Sequence, residues 1–228
     1  MSTSVALLFK ICTVYFFNGW IMNKEQFGIC LRAHADTLGR ICDRACMLHE
    51  AVNQKYDRKF PYGFHLSMVA DFAMEYGHEV VSSEEDIIPV VFGAYFHDSI
   101  EDARLTYNDV RKEAEAFMDT RQALAAAEIV YALTNDKGRT RDERAGAHYY
   151  AGIRETPYAP FVKLCDRLAN MTYSFRGTDI ANRHMKEVYR REWPHFIASV
   201  NPHAGDIRFS IPADMVREAE CLLAERER

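Results

Sequence analysis

The sequence predicts an all-α fold, and three observations lead to this prediction. Apolar residues recur at three- and four-residue steps through most of the chain after Met22, a spacing that places them on one face of a helix. Residues that begin and end helices stand between these segments. No stretch alternates apolar and polar residues over the length of a strand. We therefore expect residues 22–228 to form a single compact helical bundle.

The composition is that of a globular protein with one core. Of the 228 residues, 48% are hydrophobic and 27% are charged, and a chain of this length can bury one well-formed core. The net charge of -5 argues against a broadly basic surface for nucleic acid. The six cysteines include no C-x-x-C pair, which indicates reduced thiols and a cytoplasmic location.

Residues 1–21 form an apolar extension for which three interpretations stay open. The stretch 5–22 is apolar apart from Lys10 and Asn18. It is marginal in length for a membrane span, and it lacks the basic start and the cleavage site of a signal peptide. It could be a spurious or disordered extension, a segment that packs on the fold, or a membrane anchor. For the rest of the chain we expect no membrane partner.

The first half of the chain is predicted to contain three helical regions. Residues 30–52 have helical periodicity with a break near Gly39, and YDRKFPYG (56–63) is predicted to be a loop. Residues 64–76 are predicted to form a helix that ends at Gly77. A pair of serines at 82–83 followed by three acidic residues predicts the start of the next helix, which carries IIPVVFGAYFHDS (87–99).

The second half continues the helical pattern. Thr106 and Asp109 have the spacing of a capping box, and residues 120–134 are rich in strong helix formers. NDKGRTRDERAG (135–146) is predicted to be a charged loop. Pro157 and Pro160 precede the helical segment FVKLCDRLANMTY (161–173), and two further helices are predicted near 180–200 and 212–227.

Four ionisable residues follow the most apolar of these helices. Residues four apart share a face of a helix, so His97 would align with Glu101, and Asp98 with Asp102. A cluster of this kind is often no more than a solvated helix end. Burying it unpaired would be costly, however, so its position after an apolar helix suggests a functional site.

Two other segments carry polar residues in apolar surroundings. His65 lies at the start of its predicted helix, and alone it would be a packing or capping histidine. Asp166 and Asn170 lie four residues apart in FVKLCDRLANM, and alone Asp166 would be a partner for Lys163 or Arg167. Together with His97-Asp98, the order H…HD…D over three helical segments predicts a metal site.

The predicted metal ligands are His65, His97, Asp98 and Asp166. Imidazole and carboxylate ligands without a thiolate suit a divalent ion such as Mn, Fe or Zn and argue against a structural zinc site. Such an ion would keep open positions for water and phosphate oxygens. Glu101 and Asp102 lie about one turn further along and could orient or deprotonate an attacking water.

The flanking motifs resemble those of a known family. The H…HD…D pattern resembles the signature of the HD phosphohydrolase superfamily. More narrowly, PYGFH (61–65), YFHDSIED (95–102) and FVKLCDRLANM (161–171) resemble the PYxxH, LLHDxxED and LVKLADRLxNM elements of RelA/SpoT-type alarmone hydrolases. Gln54 also precedes Pro61 by seven residues, as it does in that family. The resemblance covers residues 40–200 in the same order.

The resemblance implies a stand-alone small hydrolase, similar to the metazoan-type enzymes, with an all-α HD-domain bundle and one manganese ion. The implied reaction removes the 3′-pyrophosphate from (p)ppGpp and gives GDP or GTP and pyrophosphate. Glu101 and Asp102 match the catalytic acid pair of the family, and Asn170 matches a residue that contacts the nucleotide. The predicted nucleotide-binding residues are Tyr56, Arg58, Lys137, Arg144 and Asn170.

The chain also departs from the family pattern. Tyr56 stands where the family has an arginine against the base, and Leu66 replaces a proline. An aromatic ring can stack on any purine, so guanine and adenine alarmones both stay open as substrates, as do NADPH and other nucleotides. A non-catalytic HD domain that binds a nucleotide or a protein partner is a further alternative, against which the intact ligand set and acid pair argue. The oligomeric state is not readable from the sequence.

Overall fold

The computed structural model describes residues 22–201 and 205–225, apart from the side chains of residues 141 and 142. Helices make up most of this part of the chain, so the all-α prediction is confirmed. The helices are α1 Lys24–Ala33, α2 Ala35–Ala51, α3 Gly63–Tyr76, α4 Ile87–Phe96, α5 Tyr107–Ala114, α6 Thr120–Leu133, α7 Arg141–Arg144, α8 Ala147–Glu155, α9 Ala159–Arg176, α10 Ile180–Val200 and α11 Ala213–Ala224.

The three interpretations of the apolar extension concern residues 1–21, which lie outside the described part of the chain. The predicted boundary between residues 21 and 22 therefore stays a prediction. Among the described helices, none combines the length and the apolar character that crossing a bilayer requires.

Helix α4 lies at the centre of the bundle. All of its residues except Ile88 are buried, as expected for a helix that is apolar around its whole circumference. Pro89 is tolerated because it lies in the first turn, where backbone N–H groups have no partner inside the helix. Helices α2, α3, α6 and α9 pack around α4. The chain therefore leaves the middle of the core at His97.

Some helix boundaries follow local signals and others do not; the short helix α7, for example, lies inside the segment 135–146 that was predicted to be a loop. The predicted capping box is confirmed, because the Thr106 hydroxyl accepts from the Asp109 N–H at 3.2 Å and the Asp109 carboxylate accepts from the Thr106 N–H at 2.9 Å. The prediction of a helix break near Gly39 is wrong. The helical structure is interrupted at His34, between α1 and α2. A glycine inside a helix costs only about 1 kcal/mol, which burial of the neighbouring Leu38 and Ile41 offsets.

The predicted loop at 56–63 contains a small antiparallel ribbon. Strand β1 (Lys55–Tyr56) pairs with β2 (Phe60–Pro61). Asp57 and Arg58 both have positive φ angles, 48° and 59°, and the Lys59 N–H donates to the Tyr56 carbonyl at 3.1 Å, as in the tight turns of hairpins. Strands of two residues are too short to show alternation in a sequence. The ribbon brings Tyr56 to the start of α3.

Helix α9 begins two residues before the segment predicted for it. Pro160 therefore lies in its first turn rather than ahead of it. The preceding residue, Tyr158, has a φ of 65°, a strained conformation for a bulky side chain. Its hydroxyl donates to Asp86 at 2.7 Å and anchors this start. Helix α9 packs extensively against α3, and this packing brings Asp166 and His65 together.

Candidate metal centre

His65, His97 and Asp98 form a buried group that could hold a metal ion. The Nε2 atoms of the two histidines are 3.2 Å apart. Asp98 Oδ2 lies 2.9 Å from Nε2 of His97 and 3.7 Å from Nε2 of His65. Each imidazole is only 2% exposed. Two ring nitrogens and a carboxylate oxygen that converge away from bulk solvent are a suitable donor set for a divalent transition metal.

The orientation of the His97 ring suits metal binding. Nδ1 lies 2.8 Å from the Ala94 carbonyl oxygen, which can only accept, so Nδ1 carries a proton and donates it. This leaves Nε2 to face the group, as in most metal-binding histidines. Burial alone would lower the pKa of His97, but the negative charges of Asp98 and Asp166 raise it to about 9. A proton on Nε2, or a metal ion beside it, balances the same two carboxylates.

No residue of the segment HDSIED (97–102) belongs to a helix. Helix α4 ends at Phe96, and the chain continues as successive turns, which corrects the prediction that the helix extends to residue 99. The Asp102 N–H still donates to the Asp98 carbonyl at 2.8 Å, so the four-residue spacing of a helical turn is kept here. Asp98, Glu101 and Asp102 consequently line one cavity of about 350 Å³.

Asp166 approaches the same two histidines from the middle of α9. Its Oδ1 lies 3.5 Å from Nε2 of His65 and 3.8 Å from Nε2 of His97. Its Oδ2 lies 2.9 Å from Lys163 Nζ, and the Asn170 amide donates to Oδ1 at 2.6 Å. Although burial opposes it, the charge of Lys163 and the two histidines hold the pKa of Asp166 well below its usual value. Asp166 is thus an ion-pair partner of Lys163 that also approaches both histidines, while the group whose atoms could together hold an ion comprises His65, His97 and Asp98; Asp166 as a fourth ligand stays a prediction.

The acid pair lines the cavity beside this centre. The Asn135 backbone N–H donates to Glu101, and its side-chain amide donates to the other carboxylate oxygen at 3.1 Å. Burial raises the pKa of Glu101 in spite of these bonds. Burial, with the negative charge of Asp98, also raises the pKa of Asp102. Carboxylates whose pKa is raised toward neutrality are better suited to proton transfer.

The predicted nucleotide-binding residues are only partly brought together. Tyr56, Arg144 and Asn170 line the cavity, whereas Arg58 and Lys137 are exposed and do not line it. The Tyr56 ring stacks on His65, with centroids 4.9 Å apart and planes at 2°. Its hydroxyl donates to Asn170 Oδ1 at 2.9 Å. In this structure Tyr56 and Asn170 therefore support two of the predicted ligands.

Sequence reasoning missed two residues behind the centre. The Tyr62 hydroxyl donates to Asp98 Oδ2 at 2.5 Å, and its ring stacks on that of His49 at 4.5 Å. His49 is 1% exposed, burial lowers its pKa to about 4, and neither ring nitrogen has a hydrogen-bond partner among the described residues. Tyr62 could have been suspected from its place in PYGFH, whereas nothing in the sequence singled out His49.

Comparisons with known proteins do not identify a family for the chain. No protein-family model matches the chain, and no curated protein matches it significantly. The likeness to RelA/SpoT-type alarmone hydrolases therefore rests on the three motifs and their order along the chain, and membership of that family stays a prediction.

Proposed function

We propose that the protein is a metal-dependent phosphohydrolase that removes the 3′-pyrophosphate from (p)ppGpp-type alarmones and gives GDP or GTP and pyrophosphate. The observation that carries the proposal is the convergence of the buried histidines and Asp98 with Asp166, next to two further carboxylates in one cavity. A site that only stabilised the fold would have no need of the second pair, Glu101 and Asp102, at this position.

The donor set fits one divalent ion, for which we propose Mn²⁺. Imidazole nitrogens and carboxylate oxygens are ligands that manganese shares with iron and zinc, and no cysteine lies among the residues that line this cavity. When bound, such an ion would polarise a phosphoryl oxygen and lower the pKa of a water. The ligands would be His65, His97, Asp98 and Asp166.

The residues of the chain supply the remaining chemistry. Glu101 is held by Asn135 with its carboxylate at the cavity wall, so it can orient a water and accept its proton. Asp102 lies beside it and can act in the same step or return a proton to the leaving group. Lys163 and Arg144 line the same cavity and offer cationic donors to phosphate oxygens.

The choice of substrate rests on the motif resemblance. One face of the Tyr56 ring is covered by His65, and a contact to a base through the other face would be tolerant of base identity. The geometry alone thus supports hydrolysis of a nucleotide phosphate, but it does not favour a guanine nucleotide over an adenine nucleotide.

One assay tests the proposal. The purified protein is incubated with Mn²⁺ and a panel of ppGpp, pppGpp, ppApp, NADPH and dNTPs, with an Asp98→Ala variant as control. We expect release of pyrophosphate from the alarmones by the wild type alone. Release of phosphate from NADPH instead would favour the alternative HD phosphohydrolase. Metal and nucleotide binding without turnover would indicate a non-catalytic sensor.

A further inference from the structure

A second cavity adjoins the candidate metal centre. It has a volume of about 530 Å³ and shares Ala145, Tyr150 and Arg167 with the first cavity. Its remaining walls come from α8 and from the C-terminal half of α10. The two cavities are therefore neighbouring parts of one cleft, and a ligand of nucleotide size at the metal centre could extend into the second part.

The two parts differ in charge. The first is lined by four carboxylates, those of Asp98, Glu101, Asp102 and Asp166, and by three cationic side chains, those of Arg144, Lys163 and Arg167. The second is lined by one carboxylate, Glu192, and by two arginines, Arg154 and Arg167. Carboxylates outnumber cations in the first part and cations outnumber carboxylates in the second, so a negatively charged group that does not touch the ion would be bound better in the second part.

Arg167 lies at the boundary between the two parts, and contacts with neighbouring residues fix its side chain. Its side chain is 11% exposed, and one guanidinium nitrogen lies 2.9 Å from the Glu192 carboxylate. The guanidinium also lies over the Phe196 ring at 4.4 Å and the Tyr189 ring at 5.3 Å. Because these contacts already fix the side chain, binding an anion would cost little conformational entropy.

Arg154 provides the second cation. It lies on α8, and one of its guanidinium nitrogens donates to the Ser199 carbonyl at 2.7 Å. This bond orients the side chain across the cavity between α8 and α10. A guanidinium has five N–H donors, so further donors are left for a ligand. A planar fork of this kind matches the oxygens of a phosphate group.

We propose that the arginine cavity, defined by Arg154 and Arg167, binds a second phosphate group of the same nucleotide whose first phosphate group lies at the metal centre. The ligand class is a nucleoside phosphorylated at two positions. This inference rests on the proposed function for the placement of the first group. One ligand rather than a separate effector is inferred because Arg167 and Tyr150 line both cavities.

Binding of two stable nucleotides tests the inference. Isothermal titration in the presence of Mn²⁺ compares guanosine 3′-monophosphate with guanosine 3′,5′-bisphosphate. We expect the wild type to bind the bisphosphate about 10- to 100-fold more tightly, the usual value of a charge-assisted hydrogen bond. Arg154→Gln should reduce this preference to about 3-fold or less and leave the affinity for the monophosphate unchanged.

Two further variants control for charge and for folding. Arg183→Gln removes the same charge from an exposed residue of α10 that lines neither cavity, and it should keep the preference. Arg154→Lys keeps the charge without the planar fork and should retain part of the preference, even if Arg154→Gln proves too unstable to measure.

Several outcomes would overturn the inference: equal affinity for both nucleotides in the wild type, an unchanged preference in Arg154→Gln, or no binding of either nucleotide. Because the readout is affinity, a failure of the proposed hydrolysis is separable. A protein that hydrolyses no alarmone but loses its preference in Arg154→Gln would reject the proposed function and keep the second phosphate site.

Discussion

Asp98 and Asp166 approach the same two histidines, but the chain holds these carboxylates in different ways. Asp98 lies on a turn just after a helix, and it accepts a hydrogen bond from the neutral Tyr62 hydroxyl. Asp166 lies inside a helix and is paired with the ammonium group of Lys163. Among the described residues, no lysine or arginine forms an ion pair with Asp98.

The difference indicates where a bound ion would matter most. The charge of Asp166 is already balanced by a lysine, whereas the charge of Asp98 is balanced by His97 when that imidazole is protonated. A divalent ion would replace the proton and not the lysine. We therefore expect Asp98 to be the more ion-dependent side of the centre and Asp166 to be the side that is also needed for folding.

The largest effect is expected from removing a ligand. Asp98→Ala or His97→Ala should abolish both bound metal and hydrolysis, because each change deletes a donor atom from the group. Metal analysis of the purified variants, together with turnover, checks this. Asp166→Ala should also lose metal, and it should lower the stability as well, since Lys163 is then left unpaired. Full metal occupancy with normal turnover in Asp98→Ala would contradict the assignment.

The acid pair should affect chemistry without affecting the metal. Glu101→Gln and Asp102→Asn keep the size of the side chain but remove a proton acceptor. We expect metal content to be retained and kcat to fall by roughly 10²- to 10⁴-fold, the usual contribution of general acid–base catalysis. Steady-state kinetics and metal analysis of the same samples decide the matter. Wild-type rates in both variants would show that the two carboxylates are not used.

A smaller effect is expected from replacing Lys163, which forms an ion pair with Asp166. Lys163→Met leaves the buried Asp166 charge without its cation, which should lower the free energy of unfolding by about 3 kcal/mol. Urea denaturation in the presence of a chelator measures this loss. Saturating Mn²⁺ should recover part of the stability, since an ion would then balance the carboxylate. Equal losses with and without Mn²⁺ would indicate that no ion binds beside Asp166.

The smallest effect is expected from replacing Tyr62, which donates a hydrogen bond to Asp98. Tyr62→Phe removes the hydroxyl that donates to Asp98 and keeps a ring to stack on His49. Loss of such an outer partner lowers metal affinity by about 10-fold, which competition with a metal-binding dye would measure. Tyr131→Phe, on an exposed residue of α6, is the matched control. If both variants bind metal like the wild type, the Tyr62 hydroxyl does not tune the centre.

Local patterns predicted much of this arrangement and missed what depends on distant partners. The apolar run before His97 predicted a buried helix, because a helix with no polar face has to be surrounded by other elements. The spacing of Thr106 and Asp109 predicted a cap, because that interaction is complete within four residues. The end of α4 at Phe96 was missed, because the residues that follow it turn toward partners on other helices.

Local patterns likewise predicted one part of the candidate site and missed another. The order of His65, His97-Asp98 and Asp166 along the chain predicted that these residues act together. The approach of both carboxylates to within 3.8 Å of the two histidines depends on the packing of α3, α4 and α9, which no single segment encodes. The exclusion of Arg58 and Lys137 from the cavity was equally unreadable, because a basic residue near a motif has the same local pattern whether its side chain faces the cavity or solvent.

By itself the sequence determined the helical class of the fold, the apolar helix that leads into HDSIED, and the residue types of the candidate centre. These depend on periodicity and on motifs within single segments. Only the tertiary structure decided that Asp166 is balanced by Lys163 while Asp98 is not, and that two arginines from α8 and α9 face a cavity beside four carboxylates. Such properties arise from side chains that are far apart in the chain, and only the packing of the helices sets the distances between them.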